Sequence, residues 1–527
     1  MAFCFVSIRE MKSMQKSNLL AIDCGTQSIR ALVFDATGEL LAKAQVSLDG
    51  YFSDQSGWVE QHVNYFWDSL CRVCNKLWTE SDIVPESILG VSVTTQRATM
   101  INLDSKGAPL RPAIIWMDKR QASLKPNIHW LWRTAFQLVG VQDTVEQFAL
   151  DAEINWIKQH QPDIYHKTHK YLFLSGYYNY KLCGEYVDSV GSQVGYVPFD
   201  YKSHQWAGKR DWKWQACPVK PEQLPDLIAP GETMGHITAE ASGQTGLLEG
   251  TPLIAAAADK ACEVLGCGCL TPDHGQISYG TTATINTSTS RYVEPIRFIP
   301  PYPAAIPETY NTEFQIYRGY WMVSWFKEQF AHQERMTAEQ QGVSTETVLD
   351  QQAGMIEPGA NGLILQPYWN PGVRHPGPEA RGAIIGFTDQ HTRAHIYRAM
   401  IEGIAFGLLE GRENIERRSG TDITRLSVSG GGSQSKTALQ VTADIFNLPV
   451  QHPATFETSG LGAAINIAVG LGVHSNYHDA CKAMCHTRNI IEPIAQNVEL
   501  YQQIYQQAYR PLYKKLSPLY KRIRLLN

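Results

Sequence analysis

The sequence has no long hydrophobic run, no basic cluster, no cysteine framework and no GxxxxGK[ST] phosphate loop. Its longest apolar stretches, Leu253 to Ala258 and Leu461 to Val469, fall short of the ~20 residues that a membrane-crossing helix needs. No membrane is therefore expected as a partner. Lys and Arg number 46 against 51 Asp and Glu, for a net charge of −5. A mildly acidic chain without a basic face argues against a nucleic-acid partner, whose phosphates need cations to neutralise them. The 11 cysteines are odd in number and irregular in spacing, the pattern of reduced thiols in a cytoplasmic protein. Cys71 and Cys74 do make a CxxC, but inside a helix-like stretch with no second pair at zinc spacing, and Cys267 and Cys269 are read the same way.

What is present is the composition of a globular α/β protein: 527 residues, 43% hydrophobic, 10% aromatic and 18% charged. At roughly 100 to 200 residues per domain, such a length predicts at least two domains. Residues 1–17 read as an N-terminal extension in which the apolar run Ala2 to Ile8 precedes the charges, the reverse of a secretory signal. Met11 and Met14 are alternative starts. Strand-like segments Leu19 to Asp23, Ile29 to Asp35 and Leu40 to Leu48 then form a meander, followed by helical patterns and strands at Leu89 to Thr95 and Met100 to Asp104. A second meander opens near Gln276. Setting AspCysGlyThrGlnSer (23–28) beside SerTyrGlyThrThrAla (278–283) suggests two related halves, each led by a hairpin whose tip holds Gly then Thr. The halves are placed at 18–268 and 269–527. A Pro/Gly-rich segment between Gly359 and Arg381 reads as an ordered surface loop, because it carries bulky aromatics.

Glycine at a hairpin tip admits a ligand close to the backbone, and successive N–H groups with a Thr hydroxyl can cradle phosphate oxygens. Gly25 with Thr26 and Gly280 with Thr281 are two such tips. Asp23, at the end of the first strand, suits Mg²⁺, which favours few carboxylates and keeps several waters. The glycines at 430–432 follow a strand-like segment (Arg425 to Ser429) and precede a helix, so Gly431 and Gly432 can admit a flat ring or phosphates at a helix N-terminus. The buried-looking run ending at Asp259 delivers a carboxylate to the start of the next helical stretch. Phosphoryl transfer to an alcohol needs in-line positioning, a metal and a carboxylate to take the hydroxyl proton, and Asp259 fits that last task. The competing reading of Asp259 is a helix cap.

These motifs, with ThrThrGlnArgAlaThr (94–99), TrpMetAspLysArg (116–120), AlaAspLysAla (258–261), GlyAlaIleIleGlyPhe (382–387) and ThrSerGlyLeuGlyAlaAla (458–464), resemble the FGGY carbohydrate kinases, among them glycerol kinase, xylulokinase and ribulokinase. The resemblance runs from about residue 18 to 515. It implies two ribonuclease-H-like domains of the actin superfamily, with ATP and a small carbohydrate meeting in the cleft between them. It implies Asp259 as general base, Asp23 as the magnesium residue with Asp259 as a second carboxylate on the metal side, and Gly25, Thr26, Gln27, Ser28, Arg30, Gly280 and Thr281 near the phosphates. Gly431, Gly432 and Ser435 would border the adenosine, while Gln96, Arg97, Asp118 and Lys260 would contact or frame the carbohydrate. A homodimer is open.

The chain departs from the pattern in four places. Ala98 stands where glycerol kinase has an acid, Lys260 where it has amides, Ala152 and Glu153 where many relatives have ProLys, and Phe387 where a smaller aliphatic residue is usual. Ala98 and Lys260 together point away from glycerol, toward a ketose or polyol of four or more carbons, with a sugar acid as the alternative. Lys260 has a rival role, an ion pair with Glu263 one turn later. Two readings of other classes share these hairpins: a sugar-binding relative without catalysis, and an actin- or Hsp70-like ATPase. Gln96, Arg97 and Asp118 separate the kinase from the ATPase.

Overall fold

The β-branched stretch that opens the chain forms the expected meander. In the computed structural model, which describes residues 17–123, 128–372 and 376–526, β1 (Asn18–Cys24), β2 (Ser28–Phe34) and β3 (Leu40–Ser47) run antiparallel to their neighbours. β1 and most of β2 are buried, which is why they read as near-continuous apolar runs, whereas β3 lies at the sheet edge and exposes alternate residues. The amphipathic helix α1 (Val63–Glu80) buries Phe66, Trp67, Leu70, Val73, Cys74 and Leu77 at helical spacing. Cys71 and Cys74 are free thiols on it. β4 (Ile88–Thr95) pairs parallel with β1, and the sheet continues through β6 (Pro252–Ile254) to its antiparallel edge strand β5 (Thr233–His236), giving the order β5-β6-β4-β1-β2-β3. The helix α2 (Asp259–Gly266) follows β6.

The second half repeats this plan. β7 (His274–Tyr279), β8 (Ala283–Thr289) and β9 (Tyr310–Ile316) form an antiparallel meander. β10 (Arg425–Ser429) pairs parallel with β7, β11 (Val450–Pro453) parallel with β10, and β12 (Thr487–Ile491) closes that edge antiparallel. The order β9-β8-β7-β10-β11-β12, with the short strand Tyr302–Pro303 beyond β9, matches the first sheet strand for strand. Two copies of a five-stranded mixed sheet in which the second strand alone of the five runs antiparallel are two ribonuclease-H-like folds. The long helix α3 (Arg393–Ser419) and the helix α4 (Lys436–Phe446) supply a large share of the second core, with Ile404, Phe406, Leu439 and Phe446 packed among Phe314, Tyr505 and Tyr509.

The chain groups into two compact units that are not two unbroken stretches. The first comprises Met1–Gly266, Pro303–Thr309 and Ser459–Met484, and the second the remainder. The helix α5 (Thr458–Gly470) thus lies almost wholly with the first unit, although it follows β11. Within that unit a Cβ at Gly462 would run into the carbonyl oxygen of Cys262 on α2. Glycine here lets the two helix backbones meet directly. A smaller four-stranded sheet, built from Glu60–Gln61, Ala113–Ile114, Met100–Leu103 and Lys170–Phe173, carries the loops that hold residues 96–99 and 116–120.

The Pro/Gly-rich segment is less loop-like than its composition suggests. Ile364–Gln366 is a strand paired with Ala383–Ile385, so a hairpin brackets the proline run. Residues 373–375 of it, and residues 1–16 of the N-terminal extension, lie outside the described residues. Among the described residues no helix is long and apolar enough to cross a membrane.

One chemical change should have opposite signs at two helical glycines. Gly243, in the helix Ala239–Thr245, has open space where its Cβ would be, so Gly243→Ala should stabilise by about 0.5–1 kcal/mol. Gly462→Ala should instead destabilise by about 1–3 kcal/mol, the range for overpacking. Calorimetric melting should rise for the first and fall by several degrees for the second; equal shifts would mean that α5 and α2 are not in backbone contact.

Candidate functional site

Asp259 is delivered by a strip of chain gripped from both sides. Leu253 and Ile254 pair parallel with Val91 and Ser92 of β4. Beyond β6, Thr94 Oγ1 donates to the Ala257 carbonyl at 2.8 Å, and Ser189 Oγ donates to that of Ala256. On the far side Ala258 N–H donates to Gly191 O at 3.0 Å. Asp188, next to Ser189, is a buried carboxyl that accepts from Ser175, Gln193 and the Ser189 amide. Burial outweighs those bonds and raises its pKa to about 7. α2 then begins at Asp259, whose Oδ1 accepts from Lys260 N–H at 2.8 Å. Burial pushes the Asp259 carboxyl up, while Lys260 and then Arg97 pull it back toward the ionised form. Lys260 Nζ in turn sits 2.9 Å from Glu263 Oε2, one turn along α2.

The first hairpin tip lies in the same unit. Gly25 N–H donates to Ser28 O, closing a tip of Gly25, Thr26 and Gln27 between β1 and β2. Gly25 needs no special backbone angle, and its absent Cβ would meet only ordinary contacts 3.7 Å away. Thr26 is the anchored residue. Its hydroxyl donates to Gln96 Oε1 at 3.1 Å and accepts from Trp116 Nε1 at 3.0 Å, while its carbonyl accepts from the Tyr51 hydroxyl at 2.5 Å. The Thr26 side chain thus fixes the tip, and the tip's exposed backbone amides are what it presents outward. Asp23, almost fully buried, faces its cross-strand neighbour Arg30, whose guanidinium stands 3.1 Å from Oδ2. The charges of Asp23 and Asp259 both bear on the buried Cys24 and Cys262 thiols, each of which burial pushes up to about 12.

Gln96 is buried behind the tip, its Oε1 accepting from Thr26 and its side-chain amide acting on the Tyr51 phenol. Arg97 acts on both Asp259 and the Tyr201 phenol. The next residue, Ala98, takes a left-handed backbone with φ of 50°, a conformation that costs a non-glycine residue about 1–2 kcal/mol. Asp118 is tied down rather than presented. Its oxygens accept from Val59 N, Arg120 N and the Arg120 guanidinium. That guanidinium packs against both Trp58 at 4.2 Å and Trp156 at 4.6 Å, whose rings themselves meet edge to face at 5.1 Å, and Glu60 pairs with both Arg120 and Arg111. The cluster holds the 116–120 loop, and with it Trp116, against the tip. Glu153, at the start of the helix Glu153–His160, has a carboxyl that burial pushes up to about 8.

In the second unit the other tip and the glycine loop come together. Gly280 and Thr281 turn β7 into β8, and their carbonyls accept from Tyr320 N and Trp321 N. Gly430 has φ of 81° and lies against the backbone of Tyr279, and a Cβ on Gly432 would strike the Tyr320 ring. Gly431 alone has open space where a side chain would be. Ser435 caps α4, accepting from Ala438 N at 2.9 Å and donating to Asp350. Sequence reasoning missed Trp116 and Tyr51 as holders of the tip. Trp116 stood inside a recognised motif, but nothing in its spacing told that its N–H aims at Thr26.

Comparison with known proteins settles the class. Residues 18–266 match the N-terminal domain and residues 275–471 the C-terminal domain of the FGGY family of carbohydrate kinases. The chain belongs to that family and is a carbohydrate kinase. It is 29% identical over 497 residues to the uncharacterized sugar kinase YgcE of Escherichia coli strain K12, covering 93% of this chain and 92% of that one. It is 27% identical to a xylulose kinase of Staphylococcus epidermidis, covering 93% and 95%. Its fold resembles that of ligand-bound xylulose kinase from Lactobacillus acidophilus, with a TM-score of 0.79 at 20% identity over 96% of this chain and 99% of the other.

The anchoring of Thr26 can be measured by a double-mutant cycle. Trp116→Phe and Thr26→Val should show a coupling of about 0.5–1.5 kcal/mol in denaturant unfolding, the usual net worth of a hydrogen bond. Additivity within about 0.3 kcal/mol would mean that Trp116 does not hold the tip.

Proposed function

We propose that this carbohydrate kinase transfers the γ-phosphoryl group of ATP to a hydroxyl of a ketose or polyol of four or more carbons. The observation that carries the reading is the placement of Asp259, a carboxylate at the end of a doubly held strip of chain, with Lys260 and Arg97 opposing the burial that raises its pKa. Asp259 takes the proton of the acceptor hydroxyl as its oxygen attacks the γ-phosphorus. The bond from that phosphorus to the β,γ-bridging oxygen breaks, and ADP leaves with the electron pair. Closely spaced N–H groups at Thr26, Gln27 and Ser28 are the donors for phosphate oxygens, with Gly25 leaving the tip open to them and Arg30 beside them. Gly280 and Thr281 offer the equivalent tip, and Gly431, Gly432 and Ser435 the border of the adenosine.

Asp23 and Asp259 are hard oxygen donors of the kind Mg²⁺ prefers, and few carboxylates are needed when phosphates share the ion. Bound there, Mg²⁺ would neutralise charge on the transferring group. Arg30 stands 3.1 Å from Asp23 Oδ2, and Asp23 would act on the ion through water.

On the carbohydrate side Gln96 and Arg97 are the direct candidates. Gln96 offers a buried amide beside the tip, and a site built to bond a substrate hydroxyl rejects an analogue that lacks it. Asp118 frames the site through Arg120, and Lys260, held by Glu263, tunes Asp259 by charge. Ala98 leaves space where an acid would otherwise grip a three-carbon polyol.

The test is ADP release with Mg-ATP across ketoses, polyols and sugar acids. The expected result is sugar-dependent turnover with a ketose or longer polyol exceeding glycerol in kcat/KM. Glycerol as the best substrate would overturn the substrate class, and ATP hydrolysis indifferent to every sugar would overturn the transfer reaction itself.

A further inference from the structure

Among the described residues, seven that are not glycine hold a left-handed backbone, and three of them, Ala98, His204 and Glu308, are tied to the Arg97 side of the site. Ala98 follows Arg97 directly, and its Cβ lies 3.5 Å from where Gly195 would carry one. Gly195 bonds the Tyr201 hydroxyl twice, its N–H donating at 3.4 Å and its carbonyl accepting at 3.3 Å. Tyr201 opens the tip of the small hairpin that pairs Phe199–Asp200 with Gln205–Trp206, and the charge of Arg97 acts on its phenol. His204 closes the same tip with φ of 55°, its N–H donating to Asp200 O at 2.9 Å.

Glu308 arrives from elsewhere in the chain. The segment Pro303–Thr309 belongs to the first unit, although β8 before it and β9 after it belong to the second. Ala304 and Ala305 are buried, and the Ala304 carbonyl oxygen would stand 3.1 Å from a Cβ on Gly191, the residue that pairs with Ala257 at the end of the strip. Ile306 to Thr309 is a tight turn, closed by Thr309 N–H on Ile306 O at 3.4 Å, with Pro307 second and Glu308 third at φ of 58°. A proline followed by a positive φ marks a type II turn, whose third position normally takes glycine or asparagine. Glu308 is exposed, and its charge acts on His204. Asp200 acts there too, but its carboxylate is occupied within the tip, accepting from Lys202 N–H and Ser203 Oγ. Glycine would serve both left-handed positions at less conformational cost, so the side chains kept there point to a ligand rather than to the turns.

Resting on the carbohydrate-kinase reading above, we infer that Glu308 and His204 form a distal carbohydrate subsite, which bonds the hydroxyls farthest from the one that Asp259 deprotonates. Polar groups run outward from the base in the order Arg97, Tyr201, His204 and Glu308, all within the first unit. A linear ketose or polyol presents hydroxyls along such a line, whereas a three-carbon polyol is too short to engage both ends. The carboxylate accepts from neighbouring hydroxyls, and the imidazole donates to or accepts from another. The same carboxylate repels an anionic end group, so the subsite favours a ketose or polyol over a sugar acid.

Steady-state kinetics of the full chain with Mg-ATP test the inference, using the ketose or polyol of highest kcat/KM, the sugar acid of the same carbon number, and glycerol. Glu308→Gln and His204→Asn should raise KM for the ketose or polyol by about tenfold, the worth of one hydrogen bond to a charged group, with kcat little changed. The loss in kcat/KM should be far larger for that substrate than for glycerol, and Glu308→Gln should improve the sugar acid. Glu308→Gly should lose the same affinity while its melting temperature rises, because glycine suits the turn. A purely structural Glu308 would give the rise in melting temperature with KM unchanged, and that result overturns the inference. Equal losses for glycerol and the longer substrate overturn it as well. A wild type without sugar-dependent turnover fails the kinase reading and the inference with it, whereas a wild type that prefers a ketose whose KM no folded variant alters fails the inference alone.

Discussion

Most of the candidate chemistry depends on one constraint, the grip on the strip of chain from Pro252 to Ala258. Its edge-on pairing with β4, the Thr94 hydroxyl on Ala257, and the exchange with Gly191 fix where the strip ends. Asp259 follows immediately, so the carboxylate inherits much of its position from the bonds that hold the strip, with Lys260 N–H bonding it directly. α2 starts at the same residue, and α5 lies directly on α2 through Gly462. A change at any of these supports would be felt at the carboxylate before it was felt elsewhere.

The duplicated sheet has a second consequence. Each copy turns its first strand into its second through a three-residue tip of glycine, threonine and one polar residue, and each sets a parallel strand beside the first. The tips have diverged in how they are held. In the first unit, side chains from distant loops do the work, Trp116, Gln96 and Tyr51 all converging on Thr26. In the second, backbone amides at Tyr320 and Trp321 take the tip carbonyls. The first tip is thus the one whose geometry responds to the loops bearing Gln96 and Trp116, a coupling that the packing of Arg120 against Trp58 and Trp156 stiffens.

The plan of the fold was legible where local pattern and tertiary role agree. β1, β2, β3, β4, β7, β8 and β10 lie where alternation and turn residues placed them, because each is flanked by glycine or polar turns and buried against one core. The small sheet around Glu60 and Ala113 left no such mark, its two-residue strands being too short to carry a period. Neither did the assignment of α5 to the first unit, which depends on Gly462 meeting a backbone some 200 residues earlier. At the candidate site, residue types could be read but not their engagements. Thr26 looks like a phosphate hydroxyl and is a structural peg. Asp118 looks like a sugar contact and is saturated by Arg120 and two backbone amides. Lys260 was read both as a donor and as the partner of Glu263, and the ion pair with Glu263 is present. Hydrogen bonds between residues far apart in the chain leave no spacing to read.

The pH dependence of kcat/KM for the wild type and Asp259→Asn, with the best sugar and Mg-ATP, tests the central claim most directly. Asp259 must be ionised to accept a proton, and burial raises its pKa. The wild type should therefore lose activity as pH falls through a limb displaced upward from the ordinary carboxylate range. In Asp259→Asn, nucleotide binding should persist, turnover should drop by about 10²- to 10⁴-fold, the scale of general-base catalysis, and the acid limb should disappear. A variant that keeps more than about a tenth of wild-type turnover, or that retains the same acid limb, would show that Asp259 is not the base.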